Sequence, residues 1–253
     1  MSALYSDLKD ASVFVTGGGS GIGAGIVEAF CRQGSTVAFV DIDAEASERL
    51  CQKLTDQGLK TPAFKTFDLT QLDHIESVIA ELAETTGPFR VLVNNAASDN
   101  RHTPEEVTPE YWKNRIDVNL SQQFFCAKAA APAMKAAGKG SIINFGSVSY
   151  SMALPDLVAY ATCKAATTGL TRSLARDWGS DGIRVNTLTP GCIMTEKQLK
   201  MWITPEAEAA IQEKQCIKTR LLPEDVAQMV LFLASDASRT CTAQDFVVDG
   251  GII

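Results

Sequence analysis

Tyr160 and Lys164 are the residues of this chain best suited to moving a proton. They stand four positions apart, the spacing that brings two side chains onto one face of a helix. A phenol is a poor base near neutrality because its ordinary pKa is about 10, but a neighbouring ammonium favours phenolate and lowers that value. The pair therefore reads as an acid/base couple. Ala161, Ala165 and Ala166 keep its surroundings slim, and Ser147 lies thirteen residues before the tyrosine.

A second cluster lies near the start, in Thr16-Gly17-Gly18-Gly19-Ser20-Gly21-Ile22-Gly23. It follows the apolar run 12–15 and leads into 22–31, where Ile22, Ile26, Val27 and Phe30 recur at helical spacing. A glycine-rich turn between strand and helix lets backbone N–H groups and the positive helix end approach a pyrophosphate. Gly17, Gly21 and Gly23 describe this turn better than a strict G-x-G-x-x-G. The next apolar run, 35–40, ends at Asp41, about 20 residues beyond the turn, where a carboxylate can accept hydrogen bonds from an adenosine ribose. The same carboxylate would repel the 2′-phosphate of NADP. Neither Ser20 nor Ile42 is basic enough to offset that, so the expected cofactor is NAD.

These residues need a scaffold, and the pattern supplies one. Short apolar runs at 13–15, 36–40, 63–67, 91–93, 141–145, 184–188 and 246–248 alternate with helical stretches long enough for crossovers. The expected fold is α/β: a single-domain, Rossmann-type doubly wound parallel sheet flanked by helices, spanning 1–253. The polar residues Asp41, Asp68, Asn95, Ser147, Pro190 and Asp249 fall at the expected carboxyl ends of strands, where such sheets bind ligands. The Tyr160 helix is expected over 156–178. Thr204-Pro205-Glu206 and Pro223-Glu224-Asp225 mark two later helix starts. The first of these lies in 192–217, a stretch that interrupts the alternation and reads as a small lid before the C-terminal helix.

Composition narrows the function. A net charge of −7 without a Lys/Arg cluster disfavours nucleic-acid binding. No run is long enough to span a bilayer and the N-terminus lacks the features of a leader, so a cytoplasmic protein without membrane contact is expected. Seven scattered cysteines without C-x-x-C spacing read as small buried or semi-buried residues, not as disulfides. His74 and His102, the only histidines, have no partner at metal-ligand spacing, and no metal is expected.

Along nearly its whole length the chain resembles the short-chain dehydrogenases/reductases. The resemblance rests on residues 16–23, Asn94-Asn95-Ala96-Ala97, Asn119, Ser147, Tyr160-Ala161-Thr162-Cys163-Lys164, Pro190-Gly191 and Asp249-Gly250-Gly251, in that family's order. It implies a catalytic set of Asn119, Ser147, Tyr160 and Lys164. Ser147 would hydrogen-bond the reacting oxygen and Tyr160 would exchange its proton. Lys164 would hold the nicotinamide ribose and depress the phenol pKa, with Asn119 supporting a water relay to it. Cofactor contacts would come from Gly17, Ser20, Gly21, Ile22, Gly23, Asp41, Ile42, Asp68, Leu69, Asn95, Ala96, Pro190, Gly191, Ile193 and Thr195. Ala97 departs from the family's usual glycine and is expected to crowd the strand end mildly. The resemblance also implies a homotetramer.

Within the family, segments 94–119, 142–150 and 202–218 are similar to those of bacterial NAD-dependent sugar dehydrogenases of the kind that oxidise D-xylose, L-arabinose or related aldoses at C1. Ser149, Asn100, Arg101, Gln198 and Trp202 are the candidate substrate residues, since a buried polyol needs each hydroxyl paired. A 2-keto-3-deoxy sugar acid oxidised at a secondary alcohol is the alternative substrate, favoured if Arg101 or Arg184 turns into the pocket. A non-catalytic NAD-sensing protein is the alternative of another class.

Overall fold

A computed structural model describes residues 3–253. In chain order the elements are β1 (Ser12–Thr16), α1 (Gly21–Arg32), β2 (Thr36–Asp41), α2 (Ala44–Asp56), β3 (Ala63–Thr66), α3 (Ile75–Thr86), β4 (Val91–Asn94), α4 (Pro109–Ile116), α5 (Gln122–Ala137) and β5 (Gly140–Phe145). There follow α6 (Val158–Trp178), β6 (Ile183–Pro190), α7 (Glu196–Met201), α8 (Pro205–Lys214), α9 (Pro223–Ala234) and β7 (Asp245–Val248).

The seven strands form one parallel sheet in the order β3-β2-β1-β4-β5-β6-β7. Helices cover both faces, which explains why the central strands are apolar at successive positions instead of alternating. Along β1, Val13 and Val15 pack with α1, α2 and α9, whereas Phe14 points to the opposite layer of α3, α5 and α6. All three are essentially inaccessible, and each such side chain contributes about 2 kcal/mol through burial. Strand order reverses between β1 and β4, whose ends are in register at Thr16 and Asn94. A crevice at that switch point is where open α/β sheets bind ligands.

Two local features shape the site. Asp117–Ser121, between α4 and α5, winds as a π-helix, a widened turn that recurs at functional sites. The Tyr160 helix begins at Val158, two residues later than the sequence pattern suggests. Asp156 has a left-handed φ of 59° and Leu157 is non-helical, so neither joins the first turn.

The 192–217 stretch carries the two short helices α7 and α8. Thr204 caps α8 by accepting the Ala207 N–H, and the Arg220 guanidinium grips the Glu208 carboxylate at 2.7 Å on both oxygens. Its exit pairs with the C-terminal segment through Cys216 N–H to Gly251 O and Ile217 N–H to Gly250 O. Among the described residues no helix is long and apolar enough to cross a membrane, and no cluster of His, Cys, Asp and Glu has metal-binding form. Four cysteines are buried and two half-buried, but Cys216 is exposed, against the expectation for all seven, because it lies where the lid exit meets solvent.

Candidate active site

The glycine turn is held from two sides. Gly17 N–H and Gly18 N–H donate to Val40 O, and the Asn95 amide donates to the carbonyls of Thr16 and Gly17, each at 3.0 Å. Asn95 therefore clamps β4 to the turn, while Ala96 N–H bonds Thr16 Oγ1. A methyl group at Gly23 would meet Gly17 O at 1.8 Å, and one at Gly17 would meet Ala96 Cα at 3.0 Å. Only bare backbone fits this approach of helix to strand. Ser20, the exposed N-cap of α1, makes no side-chain cap bond, which leaves first-turn N–H groups available to an anion. Half-buried Ile22 opens this helix against the core.

Asp41 closes the turn at the end of β2. Its Oδ2 accepts Gly19 N–H at 2.8 Å and its Oδ1 accepts Asp43 N–H. Ile42 beside it is 74 % exposed. Asp68 is exposed just beyond β3 and accepts from Thr70 N–H and Oγ1, whereas Leu69 is buried in the α3/α5 layer. Across the crevice Pro190 ends β6, Gly191 N–H bonds Val248 O, and buried Ile193 bridges to Leu221. Thr195 caps α7 and lies against Gly21. Backbone N–H groups, an acidic strand end and an apolar wall thus form a cradle whose donor set fits a dinucleotide. Ala97 is exposed.

Tyr160 and Lys164 share the inner face of α6. Lys164 is 1 % exposed, and its Nζ donates to Phe145 O at 2.7 Å while lying 5.5 Å from the Tyr160 ring centroid. Burial lowers its pKa to about 8. Burial also pushes the Tyr160 phenol up to about 12, although the Ser147 hydroxyl pulls the other way. Burial is thus the largest influence on the phenol, and it acts against the lowering expected from Lys164. A buried ammonium needs an acceptor, and Nζ finds one in the Phe145 strand carbonyl. Half-buried Ser147 lies two residues beyond β5 and accepts Ser149 N–H at 3.1 Å.

Asn119 is inaccessible within the π-helical turn. Its Oδ1 accepts Ser98 N–H at 2.8 Å, and its Nδ2 donates to the carbonyls of Ser98 and Arg115. The side chain thus anchors the loop after β4. The Phe145 carbonyl also accepts Gln123 Nε2 at 3.2 Å, and Gln122 donates to Ala96 O at 3.0 Å. Both glutamines are fully buried. Sequence reasoning passed over them, although two adjacent amides among apolar residues were a visible signal.

The candidate substrate residues divide. Ser149 is 3 % exposed and its hydroxyl has no partner, leaving it free for a ligand. Gln198 instead donates to Asp99 Oδ2 at 2.7 Å, and Arg101 stacks over Trp202 at 5.7 Å. Asn100 is exposed and uses its carbonyl on His102. Arg184 turns away from this edge and donates to the carbonyls of Leu233, Ser235 and Cys241. Asp99, which was not among the candidate substrate residues, also pairs with Lys197 at 3.3 Å. Burial opposes its ionisation, yet Lys197 and Gln198 hold its carboxyl below the usual range. These contacts tie α7 to the loop after β4, next to the phenol whose titration Asp99 and Arg101 influence in opposite senses.

The arrangement can hold a dinucleotide along the strand ends and exchange a proton at Tyr160. Comparisons agree with this chemistry. The family described as enoyl-(acyl carrier protein) reductase matches residues 17–253. A "Probable galactose dehydrogenase" of Rhizobium meliloti (strain 1021) is 48% identical over 99% of this chain and 98% of its own. The D-xylose 1-dehydrogenase of Caulobacter vibrioides (strain NA1000 / CB15N) is also 48% identical, with the same coverage of 99% and 98%. Among solved structures, a gluconate 5-dehydrogenase from Burkholderia cenocepacia J2315 in complex with NADP and tartrate superposes with a TM-score of 0.88 at 29% identity, covering 96% of this chain and 95% of that one.

Proposed function

The chain belongs to the short-chain dehydrogenase/reductase family, and from that premise we propose that it is an NAD-dependent aldose 1-dehydrogenase. The relatives named for galactose and D-xylose, each 48% identical over almost the full length, support a neutral sugar as substrate. Support for NAD comes from Asp41: a carboxylate at the end of β2, with no basic neighbour at Ser20 or Ile42, opposes an added phosphate. The cofactor would lie on the turn from Gly17 to Gly23, beside Asp41, Asp68, Leu69, Asn95 and Ala96, and against Pro190, Gly191, Ile193 and Thr195. Bound, it supplies the hydride acceptor that no side chain of this protein provides.

The protein contributes geometry and proton transfer. In this reading the sugar hydroxyl sits between Ser147 and Tyr160; the phenol first passes its own proton outward through Lys164 and Asn119, and the resulting phenolate takes the hydroxyl proton as the substrate is oxidised. Ser147 donates to the reacting oxygen. Lys164 fixes the floor of the site through Phe145 and carries a proton labile enough to serve a relay with Asn119. Ser149, Asn100, Arg101, Gln198 and Trp202 are proposed to meet the remaining sugar hydroxyls under the lid formed by residues 192–217. The proposed unit is one catalytic domain over 1–253, assembled as a homotetramer. Seven free thiols support a reducing, cytoplasmic setting.

The observation that carries the reading is the convergence of Ser147, Tyr160 and a fully buried Lys164 at the carboxyl edge of the sheet. The test mixes protein, NAD or NADP, and panels of aldoses and 2-keto-3-deoxy sugar acids, and follows the near-ultraviolet absorbance of reduced nicotinamide. Aldose oxidation with NAD is expected, and Tyr160→Phe should lower kcat by about 100-fold or more with NAD binding retained. Turnover confined to the keto-deoxy acids, or an active Tyr160→Phe, would refute it.

A further inference from the structure

The helix bearing Tyr160 starts without a cap of its own. Leu157 occupies the N-cap position and makes no side-chain cap bond. First-turn N–H groups have no partner inside their helix, and a buried one left bare is costly. One of them belongs to Ala159, the inaccessible residue next to Tyr160, and it donates to His102 Nε2 at 3.2 Å. In return the His102 backbone N–H donates to Asp156 O at 2.9 Å. These two bonds clasp the loop after β4 onto both sides of the start of α6.

His102 is itself held in place. It is 5 % exposed, and its Nδ1 lies 2.9 Å from both Asn100 O and the Tyr111 hydroxyl. Its ring meets Tyr111 edge-on at 5.1 Å, and Arg115 packs over the Tyr111 ring while bonding Ser98 Oγ at 2.8 Å. Because Nε2 accepts, the hydrogen of the neutral ring belongs on Nδ1, where the Asn100 carbonyl and the Tyr111 oxygen both receive it.

We propose that His102 is a positioning residue for catalysis: its Nε2 fixes the first turn of α6 and thereby holds the Tyr160 phenol in line with Ser147. The proposal rests on the reading of Tyr160 as the proton-exchanging group. Three variants separate it from a packing role. The amide oxygen of His102→Gln reaches to where Nε2 lies, that of His102→Asn stops near Nδ1, and His102→Leu fills the space without an acceptor. The measurements are kcat and KM for an aldose, the Kd for NAD, and hydrogen exchange at the Ala159 amide.

His102→Leu and His102→Asn should lower kcat about 10- to 100-fold, with KM and Kd moving less than about threefold, and should speed exchange at Ala159. His102→Gln should recover kcat to within about threefold of the parent and restore the protection. Equal kcat in the Gln and Asn variants, or unchanged exchange in His102→Leu, would overturn the proposal. Should the leucine variant fail to fold, the two polar variants still decide. Exchange needs no turnover, so a protein that oxidises no aldose would refute the substrate reading without protecting this one.

Discussion

Burial sets how Tyr160 and Lys164 hold their protons, and it does so in opposite directions. Lys164 is neutral in the folded protein above about pH 8, against an ordinary value of 10.5. The unfolded chain thus binds the extra proton between those values. A folded pKa below the unfolded one means that the buried ammonium costs stability throughout the range below pH 8. That cost fades as pH rises from 8 towards 10.5 and is absent above it. Lys164→Met should therefore raise the stability at pH 7 by on the order of 2 kcal/mol, while destroying turnover. Thermal melts at stepped pH should show the gain shrinking towards pH 10, and a gain independent of pH would refute the account. Tyr160, raised to about 12, adds an opposite slope only above its ordinary value of 10, at the upper edge of this window. The identity of both residues was legible from a four-residue spacing. The bond from Lys164 to Phe145 O was not, because spacing fixes a shared helix face but not the acceptor that a long side chain finds.

At the level of elements, the proposed lid is tied down by side chains that are distant in sequence. Asp99 and Gln198 are 99 positions apart, and their bond joins α7 to the loop after β4, with the Arg101 stack on Trp202 alongside. Asp99→Ala removes both the Gln198 and the Lys197 contacts. It should speed NADH release about 3- to 10-fold in stopped-flow traces, and the melting temperature should change little. An unaltered release rate would show that α7 does not gate the crevice. Strands were the most legible elements, because sheet burial on both faces writes itself as short apolar runs. Helix caps at Thr204 and Pro223 were legible for a similar reason, since they are local. The start of α6 was misjudged by two residues, because a left-handed Asp156 leaves no periodic mark. The fastening of the lid and the His102 clasp stayed hidden, since each joins segments whose proximity only the fold creates.

For the molecule as a whole, the open question is assembly. β7 forms an edge of the sheet, and Val247, Ile217, Leu222 and Ile253 remain exposed near the C-terminal segment. Apolar residues gathered at an open edge suit contact with further copies of the chain. Val247→Arg should reduce the mass of the proposed tetramer in light scattering, while per-chain NAD binding persists. A parent protein of single-chain mass would refute the assembly. Fold class was legible because length, strand count and alternation admit few topologies, whereas contacts between copies leave only a few exposed apolar side chains as a trace.

The widened turn at 117–121 carries a last consequence. Excising one residue from the regular winding of α4 just ahead of it would swing everything after it, the widened turn included, by about 100° about the axis. Gln122 and Gln123 would then lose Ala96 and Phe145, and the floor under Lys164 would go with them. Indels should thus be barred from this one stretch of helix, even where substitutions are tolerated, because its length measures out the site.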